Sequence, residues 1–432
     1  MRSHYSNEVT PELNDKVIKV AGWVHEKRDL GKIKFLIIRD REGKIQVTAK
    51  EDTTNPKILT VIDSLSKESV ILVEGVVRAN PKAPGGVEMD PRQIKILNKS
   101  LTPLPLDVTG KVDADLDTRL NNRFMDVRKE SVSSIFKIRS TIQKAFRDYF
   151  YQHKFIELNT PTIIAAASEG GTNLFAISYF EREAFLAQSP QLYKQMMMGT
   201  GLDKVFIVTP VFRAETHNTT RHLNEIVQMD VEVSFIRDEE DVLKYLEGVT
   251  AYIFNEVLEE RKKELELLGQ KIEAPKTPFK RLTYDQVLTL LEKKGLKLNW
   301  GDDITTEAER ILGAEFKDPF FIKEWPTKVR SFYSRPIDSK PEICGAFDLM
   351  YRGIELASGA QRIHDEKQLV EALTLRGLDP KNFEFYLKAF RYGMPPHGGW
   401  SIGAERMTEV ITGVQNIREC VLFPRDRTRL EP

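Results

Sequence analysis

The 432-residue chain reads as an α+β protein: a small N-terminal β-barrel of oligonucleotide-binding type, followed by a larger domain with a central antiparallel sheet flanked by helices. Three observations predict this. Short alternating segments crowd the first hundred residues. Two further blocks, 204–235 and 346–364, read as hairpins. Helical spacing of apolar residues fills much of the rest. Neither GxxxxGK[ST] nor GxGxxG occurs, so a P-loop or a dinucleotide fold is not expected.

The barrel comes first. "KVIKVAGWVHEKRD", "GKIKFLIIRDREGKIQVTAK", "ESVILVEGVVRAN" and "EMDPRQIKIL" supply about five strands divided by Gly, Pro and Asp turns, which predicts a barrel over residues 1–103. Its first hundred residues carry 18 Lys/Arg against 14 Asp/Glu, only a mild basic bias. "LTPLPLDVTGKVDADLDTRLNNRF" has the composition of a linker, placed at 104–130. From 131 to 432 runs the second domain. Ile135, Ile138, Ile142, Phe146 and Phe150 form the apolar stripe of a helix that leads into "FIELNTPTII". Residues 237–330 read as mostly helical, solvated and without visible chemistry.

Composition narrows the function. The 64 basic and 64 acidic residues cancel, which excludes a generally basic nucleic-acid binder but allows a local patch. No apolar run nears the roughly 18 residues of a membrane span and the N-terminus lacks a signal core, so a soluble, cytoplasmic protein without a membrane partner is expected. Cys344 and Cys420 stand far apart, as buried free thiols rather than a zinc site or a disulfide framework.

Chemistry concentrates in three places. "VFRAETHNTTRHLNEIVQMDVEVSF" is a long hairpin whose loop and polar face carry Arg213, Glu215, Arg221 and His222; guanidinium forks of this kind suit a phosphate chain. "AFDLMYRGIELASGAQRIH" turns near Gly353 and could bring Asp348 and Glu355 together, a carboxylate pair suited to Mg²⁺. "PPHGGWSIGAERMTEV" passes from a Gly-rich strand, over which a flat ligand could lie close to backbone, into a helix with Arg406 in its first turn. His397 is read as structural.

These segments resemble the class II aminoacyl-tRNA synthetases. "FRAE" with "RHLNE" looks like motif 2, "GAERMTEVITGVQNIRECVLFPR" like motif 3, and "FIELNTP", with Pro161, like motif 1. The likeness spans residues 17–432 and is strongest to the archaeal and eukaryotic aspartate-specific type. It implies an ATP-dependent, AMP-forming ligase that makes aspartyl-adenylate and passes the aspartyl group to the 3′ end of tRNA(Asp).

The resemblance also implies roles. Arg213, Arg406 and Glu355 would be catalytic. ATP would meet Arg213, Ala214, Glu215, Arg221, His222, Leu223, Glu355, Gly403, Ala404, Glu405 and Arg406, with Ile226 standing where many members place an aromatic against adenine. Glu355 and Ser358 would hold Mg²⁺. Aspartate would meet Glu169, Ser189, Gln191, Lys194, Arg213, Asp230, Ser358 and Arg362. Lys194 and Arg362 suit a substrate with a second carboxylate, because a neutral amide would leave a desolvated cation unpaired. In the barrel, Phe35, Gln46 and Glu88 match anticodon contacts. His25 and Pro84 stand where tRNA-selective relatives carry a bulky Trp or Gln and a Lys, which implies a relaxed enzyme that also charges tRNA(Asn), with an amidotransferase acting on the product. A homodimer through motif 1 is implied as well. Asparagine activation, or a synthetase-like paralogue without aminoacylation, are the alternatives.

Overall fold

The computed structural model describes residues 1–165, 174–216 and 219–432, and divides into two compact units, Met1–Thr118 and Arg119–Pro432. In the first unit, strands Val17–Asp29, Ile33–Arg39, Lys44–Lys50, Val87–Asn98 and Val70–Ala79 pair in that order and close into a barrel. One side chain in two points inward along each strand. Val20, Val24, Leu36, Ile38, Val47, Ile71, Val73 and Met89 thereby fill the interior, and the helix Pro56–Asp63 adds Ile58 and Ile62 to the same core. The first strand is irregular between Val24 and Glu26, so the ladder breaks at His25.

Where sequence composition suggested a linker, residues 116–126 form two short helices, Leu116–Asn121 and Arg123–Asp126. Buried Leu120 and Met125 supply the apolar contacts, and Arg123 pairs with buried Asp126 at 2.6 Å. Compositional reasoning cannot see such partners.

The second unit is built on one mixed sheet. Strands Phe320–Pro326, Lys340–Tyr351, Ile354–Gln361, His397–Gly403, Glu225–Ser234 and Lys204–Phe212 run antiparallel to their neighbours in that order. Lys280–Thr283 and Ile156–Glu157 extend the two edges in parallel. The span 237–330 is thus helical over Glu240–Glu260, Tyr284–Lys293 and Thr306–Glu315, yet it also lends two strands to the sheet. Helices Glu130–Gln152, Glu240–Glu260 and Ala404–Thr412 cover the apolar face. Ile138, Ile142, Phe146 and Phe150 are fully buried there, and the Phe146 ring lies 6.0 Å from Phe206 and 6.2 Å from Trp400. With that face sealed, the polar face is left for the site.

Two turns decide how the polar face is presented. The hairpin 204–234 pairs Phe212 with Glu225, and the described residues between them, 213–216 and 219–224, lie outside the strands. The hairpin 340–361 turns at Arg352 and Gly353, with φ of 52° and 73°, as a two-residue turn with both central residues left-handed requires.

Candidate functional site

A cavity of about 230 Å³ opens on the polar face. The first hairpin lines it with Arg213, Glu215, Arg221, His222 and Leu223, the second with Glu355 and Ser358, and the last strand and helix with Gly403, Glu405 and Arg406. Burial pushes the His222 imidazole below its ordinary value, and the charges of Arg406, Arg213 and Arg221 push it further, with Glu215 opposing. Three guanidinium groups therefore converge on one neutral imidazole, as a site for a polyanion requires. Ile226 is in the wall. Ala214 lines an adjoining cavity of about 470 Å³ instead, and buried Ala404 opens the last helix without reaching the cavity.

Asp348 and Glu355 do not face each other across the ladder as expected. Asp348 is paired with Ser358 and Glu355 with Met350, and an extra residue breaks the register between Leu349 and Met350. The irregularity resets the alternation, so Glu355 and Ser358, three residues apart, both line the cavity. Burial, and after it the Asp348 charge, push the Glu355 carboxyl up to about 7, against the pull of Arg406 and Arg330. Arg406 Nη1 donates to the Glu355 carbonyl at 2.8 Å and to its carboxylate at 3.4 Å. Among the described residues no group of three His, Cys, Asp or Glu is clustered to hold a metal alone.

Behind the cavity lies a buried quartet of charges. Lys194 Nζ meets Asp230 Oδ1 at 2.7 Å and Glu232 Oε2 at 3.4 Å, while Arg362 Nε donates to Glu232 Oε1 at 3.0 Å. Arg362 Nη2 also donates to the Gly399 carbonyl at 2.9 Å and to Gln191 Oε1 at 3.4 Å. Ser189 Oγ accepts from the Gln191 backbone at 3.2 Å. The expectation that an unmatched substrate would leave Lys194 or Arg362 without a partner is corrected here: each already holds an internal carboxylate. Glu232 was invisible as a partner because it reads as one more polar residue on an alternating strand. Burial pushes its carboxyl up, but Arg362 and Lys194 hold it below the ordinary carboxylate value.

Gly399 makes room for this arrangement. A Cβ there would lie 2.2 Å from Glu232 Oε2 and 2.1 Å from the Val231 carbonyl. The glycines expected to admit a flat ligand thus divide in purpose: Gly399 clears space for a buried carboxylate, and Gly403 faces the cavity. His397 closes the far end, its Nδ1–H donating to the Pro395 carbonyl at 2.8 Å and its Nε2 accepting from Gln195 at 3.1 Å, which is the structural part expected of it.

Sequence reasoning missed several further residues. Ser401 lines the cavity and donates to Asp230 Oδ2 at 3.0 Å, joining cavity to quartet. Gln228 lines the cavity with a buried Oε1 that has no hydrogen-bond partner among the described residues. From the segment read as free of chemistry come Glu309, 2.7 Å from Arg221, and Arg330, which forks Asp348 at 2.9 and 2.6 Å. Glu405, assigned to ATP, accepts from Arg139 at 2.6 Å and from the Val227 backbone. Glu169 lies outside the described residues.

In the barrel, Phe35 is half-buried and stands outside the apolar core. Gln46 donates to Glu88 Oε2 at 2.9 Å, and Asn80 to Oε1 at 3.0 Å, with Thr48 as a third donor. Arg39 Nη1 lies 3.0 Å from His25 Nδ1 while its guanidinium forks buried Glu68. Pro84 is exposed in a short turn, Pro84–Gly86.

Comparison with known proteins places this geometry. Residues 115–427 match the family model of class II tRNA synthetases (D, K and N), and residues 18–97 that of the OB-fold nucleic acid binding domain. The chain is 54% identical over 437 residues to an aspartate–tRNA(Asp) ligase of Pyrococcus horikoshii, and 53% identical over 432 residues to an aspartate–tRNA(Asp/Asn) ligase of Methanopyrus kandleri, with 100% of each chain covered. Among solved structures, an asparaginyl-tRNA synthetase of Pyrococcus horikoshii complexed with asparaginyl-adenylate superposes with a TM-score of 0.95 at 33% identity, covering 100% of both chains. An aspartyl-tRNA synthetase of Entamoeba histolytica gives 0.90 at 31%, covering 100% of this chain and 93% of the other.

One consequence concerns pH. Burial first, then Arg362 and His364, depress the His397 imidazole to about 4 against the pull of Glu232. The unfolded chain takes up this proton near 6.5 and the folded chain only near 4, so the His397 contribution to stability is complete above about 6.5. It declines as pH falls from there to about 4, by up to roughly 3 kcal/mol. NMR of the His397 ring is expected to show a neutral Nδ1–H tautomer throughout pH 5–8; a titration midpoint above 6 would contradict this.

Proposed function

Because the chain belongs to the class II tRNA synthetases of the D, K and N group and ligates aspartate to tRNA with ATP, we propose that cavity and quartet are the two halves of its adenylation site. The observation that carries this is Ser401, whose hydroxyl touches Asp230 while it lines the arginine cavity, so an amino acid on the quartet abuts a phosphate chain in the cavity. The aspartate relatives, more identical than the asparaginyl structures, decide the amino acid.

In the first step the aspartate α-carboxylate attacks the α-phosphorus of ATP and pyrophosphate leaves. In the second, the terminal ribose hydroxyl of tRNA takes the aspartyl group and AMP leaves. Neither step demands a strong protein base, so orientation and charge stabilisation carry the rate. Arg213 holds the α-phosphate where charge builds up. Arg406, Arg221 and His222 hold the tail, and Glu215 meets the adenine edge, with Ile226, Leu223 and Gly403 as walls. Arg221 exchanges Glu309 for phosphate oxygens as ATP enters.

The donors present fit Mg²⁺. Glu355 and Ser358 offer hard oxygens on the cavity wall, with the Asp348 carboxylate close enough to act on Glu355. Two protein oxygens suffice, since Mg²⁺ takes its remaining ligands from phosphates and water. Bound there, the ion would neutralise the ATP tail and the departing pyrophosphate.

Selection of aspartate follows from partner exchange. The quartet is neutral as it stands, with two cations and two carboxylates. On binding, the substrate side-chain carboxylate takes Lys194 and Arg362, and Asp230, released from Lys194, receives the substrate ammonium group. Ser189 and Gln191 hold the arrangement in register. Asparagine brings the ammonium group without the second carboxylate, so the exchange is incomplete.

The barrel takes the anticodon through Phe35, whose half-exposed ring can stack a base at about 1–3 kcal/mol, and through Gln46 and Glu88. Selectivity between tRNA(Asp) and tRNA(Asn) rests on one anticodon base. Overall identity does not separate the two kinds of relative, at 54% and 53%, so local residues must. Pro84 offers neither an ammonium group nor a backbone donor to a base edge, and His25 is a small contact already engaged by Arg39. The enzyme therefore also charges tRNA(Asn), and an amidotransferase converts that product. It works in the cytoplasm as a homodimer. The second copy packs through motif 1, whose helix Glu130–Gln152 carries Phe136 and Gln143 beside the exposed Leu422 and Phe423.

Three measurements test this reading. Lys194→Met leaves Asp230 without its cation while Glu232 keeps Arg362, and should lower aspartate-dependent pyrophosphate exchange about a thousand-fold, from roughly 3–5 kcal/mol, with ATP affinity retained; near-normal exchange would refute the pocket assignment. Charging efficiencies on tRNAs differing only at the discriminating anticodon base should agree within about 100-fold, or roughly 2.7 kcal/mol. Sedimentation at micromolar concentration should give a dimer mass; a monomer would exclude the homodimer.

A further inference from the structure

Arg330 follows the short turn Thr327–Val329, in the segment whose sequence showed no chemistry. Its guanidinium lies over the Trp325 ring at 4.7 Å, and Trp325 is itself buried. From there it makes three directed contacts: Nη1 donates to Asp348 Oδ2 at 2.9 Å, and Nη2 donates to Asp348 Oδ1 at 2.6 Å and to Ser358 Oγ at 2.6 Å. Arg330 does not itself line the phosphate cavity, whereas Ser358 and Glu355 do. It therefore stands behind the wall, holding one residue of that wall and the carboxylate next to the other.

Resting on the assignment of Mg²⁺ to Glu355 and Ser358, we infer that Arg330 is the positioning residue of that cation site. It fixes the Ser358 hydroxyl by occupying one of its acceptor positions, and it neutralises Asp348 so that the two carboxylates can stand side by side. A serine hydroxyl rotates freely unless a neighbour fixes it. With Nη2 taking one lone pair, the remaining pair is left to face the cavity. Asp348, forked by the same guanidinium, is held in the wall as a support. A planar fork stacked on an indole suits this task because it delivers several donors in one rigid geometry. Lysine has the charge and can serve Asp348 or Ser358, but it cannot fork one while holding the other.

The test uses Mn²⁺ as probe with a non-hydrolysable ATP analogue and the full chain, reading bound metal by the EPR signal of free Mn²⁺. Arg330→Met should raise the Mn²⁺ dissociation constant about tenfold or more, as loss of a residue that orients a ligand does, and Arg330→Lys should recover part of it. In a Ser358→Ala background, Arg330→Met should cost clearly less than it does alone, because only its hold on Asp348 is then left to lose. Unchanged affinity in Arg330→Met, or a full additional loss in the Ser358→Ala background, would overturn the inference. Should Arg330→Met not fold, Arg330→Met/Asp348→Asn, which leaves no charge unpaired, carries the same comparison. Glu355→Gln separates the two readings. If it leaves Mn²⁺ binding unchanged, the cation site itself is misassigned and the inference falls with it; if it abolishes binding while Arg330→Met does not weaken it, only the inference fails.

Discussion

Four buried charges in the middle of the sheet set the terms for everything around them. Lys194, Asp230, Glu232 and Arg362 are almost wholly removed from water, and isolated ions in such a place would cost far more than a fold can supply. They survive because each cation faces a carboxylate and because neighbouring backbone and amide groups take up the remaining hydrogen bonds. That requirement explains Gly399, the neutral His397 and the chain Gln191–Gln195–His397.

The cavity beside it is organised differently. There Arg213, Arg221 and Arg406 share the wall with Glu215, Glu355 and Glu405, and burial with the arginine charges holds the His222 imidazole below its ordinary value. The two carboxylates at its edge, Asp348 and Glu355, are treated differently, one closed by Arg330 and the other left raised and reaching the cavity. The one-residue irregularity in the 340–361 hairpin allows this, since regular alternation would send Glu355 and Ser358 to opposite faces. Glu309 and Arg330 both come from the segment 237–330, so that segment does more than cover a sheet edge.

The barrel keeps its own economy of contacts. Its core is aliphatic, which leaves the half-buried Phe35 ring available at the surface. Glu88 is gripped by three neighbouring donors, and these hold its carboxyl below the ordinary value against burial. A carboxylate so restrained keeps one orientation.

What the sequence determined by itself was local. The patterns over 204–235 and 346–364 announced both hairpins, the spacing from Ile135 to Phe150 announced the helix beneath them, and the arginines in the 213–222 segment stood out as a cationic cluster. Motif order then identified the family. What only the tertiary structure decided was pairing: Glu232 with Arg362, Ser401 with Asp230, Arg221 with Glu309, Arg330 with Asp348 and Ser358. Each pair joins residues from elements separated along the chain, and alternation tells which face a residue takes but not which charge meets it there. Periodicity is a property of one strand or helix, whereas the neutralisation of a buried charge belongs to the packing of several.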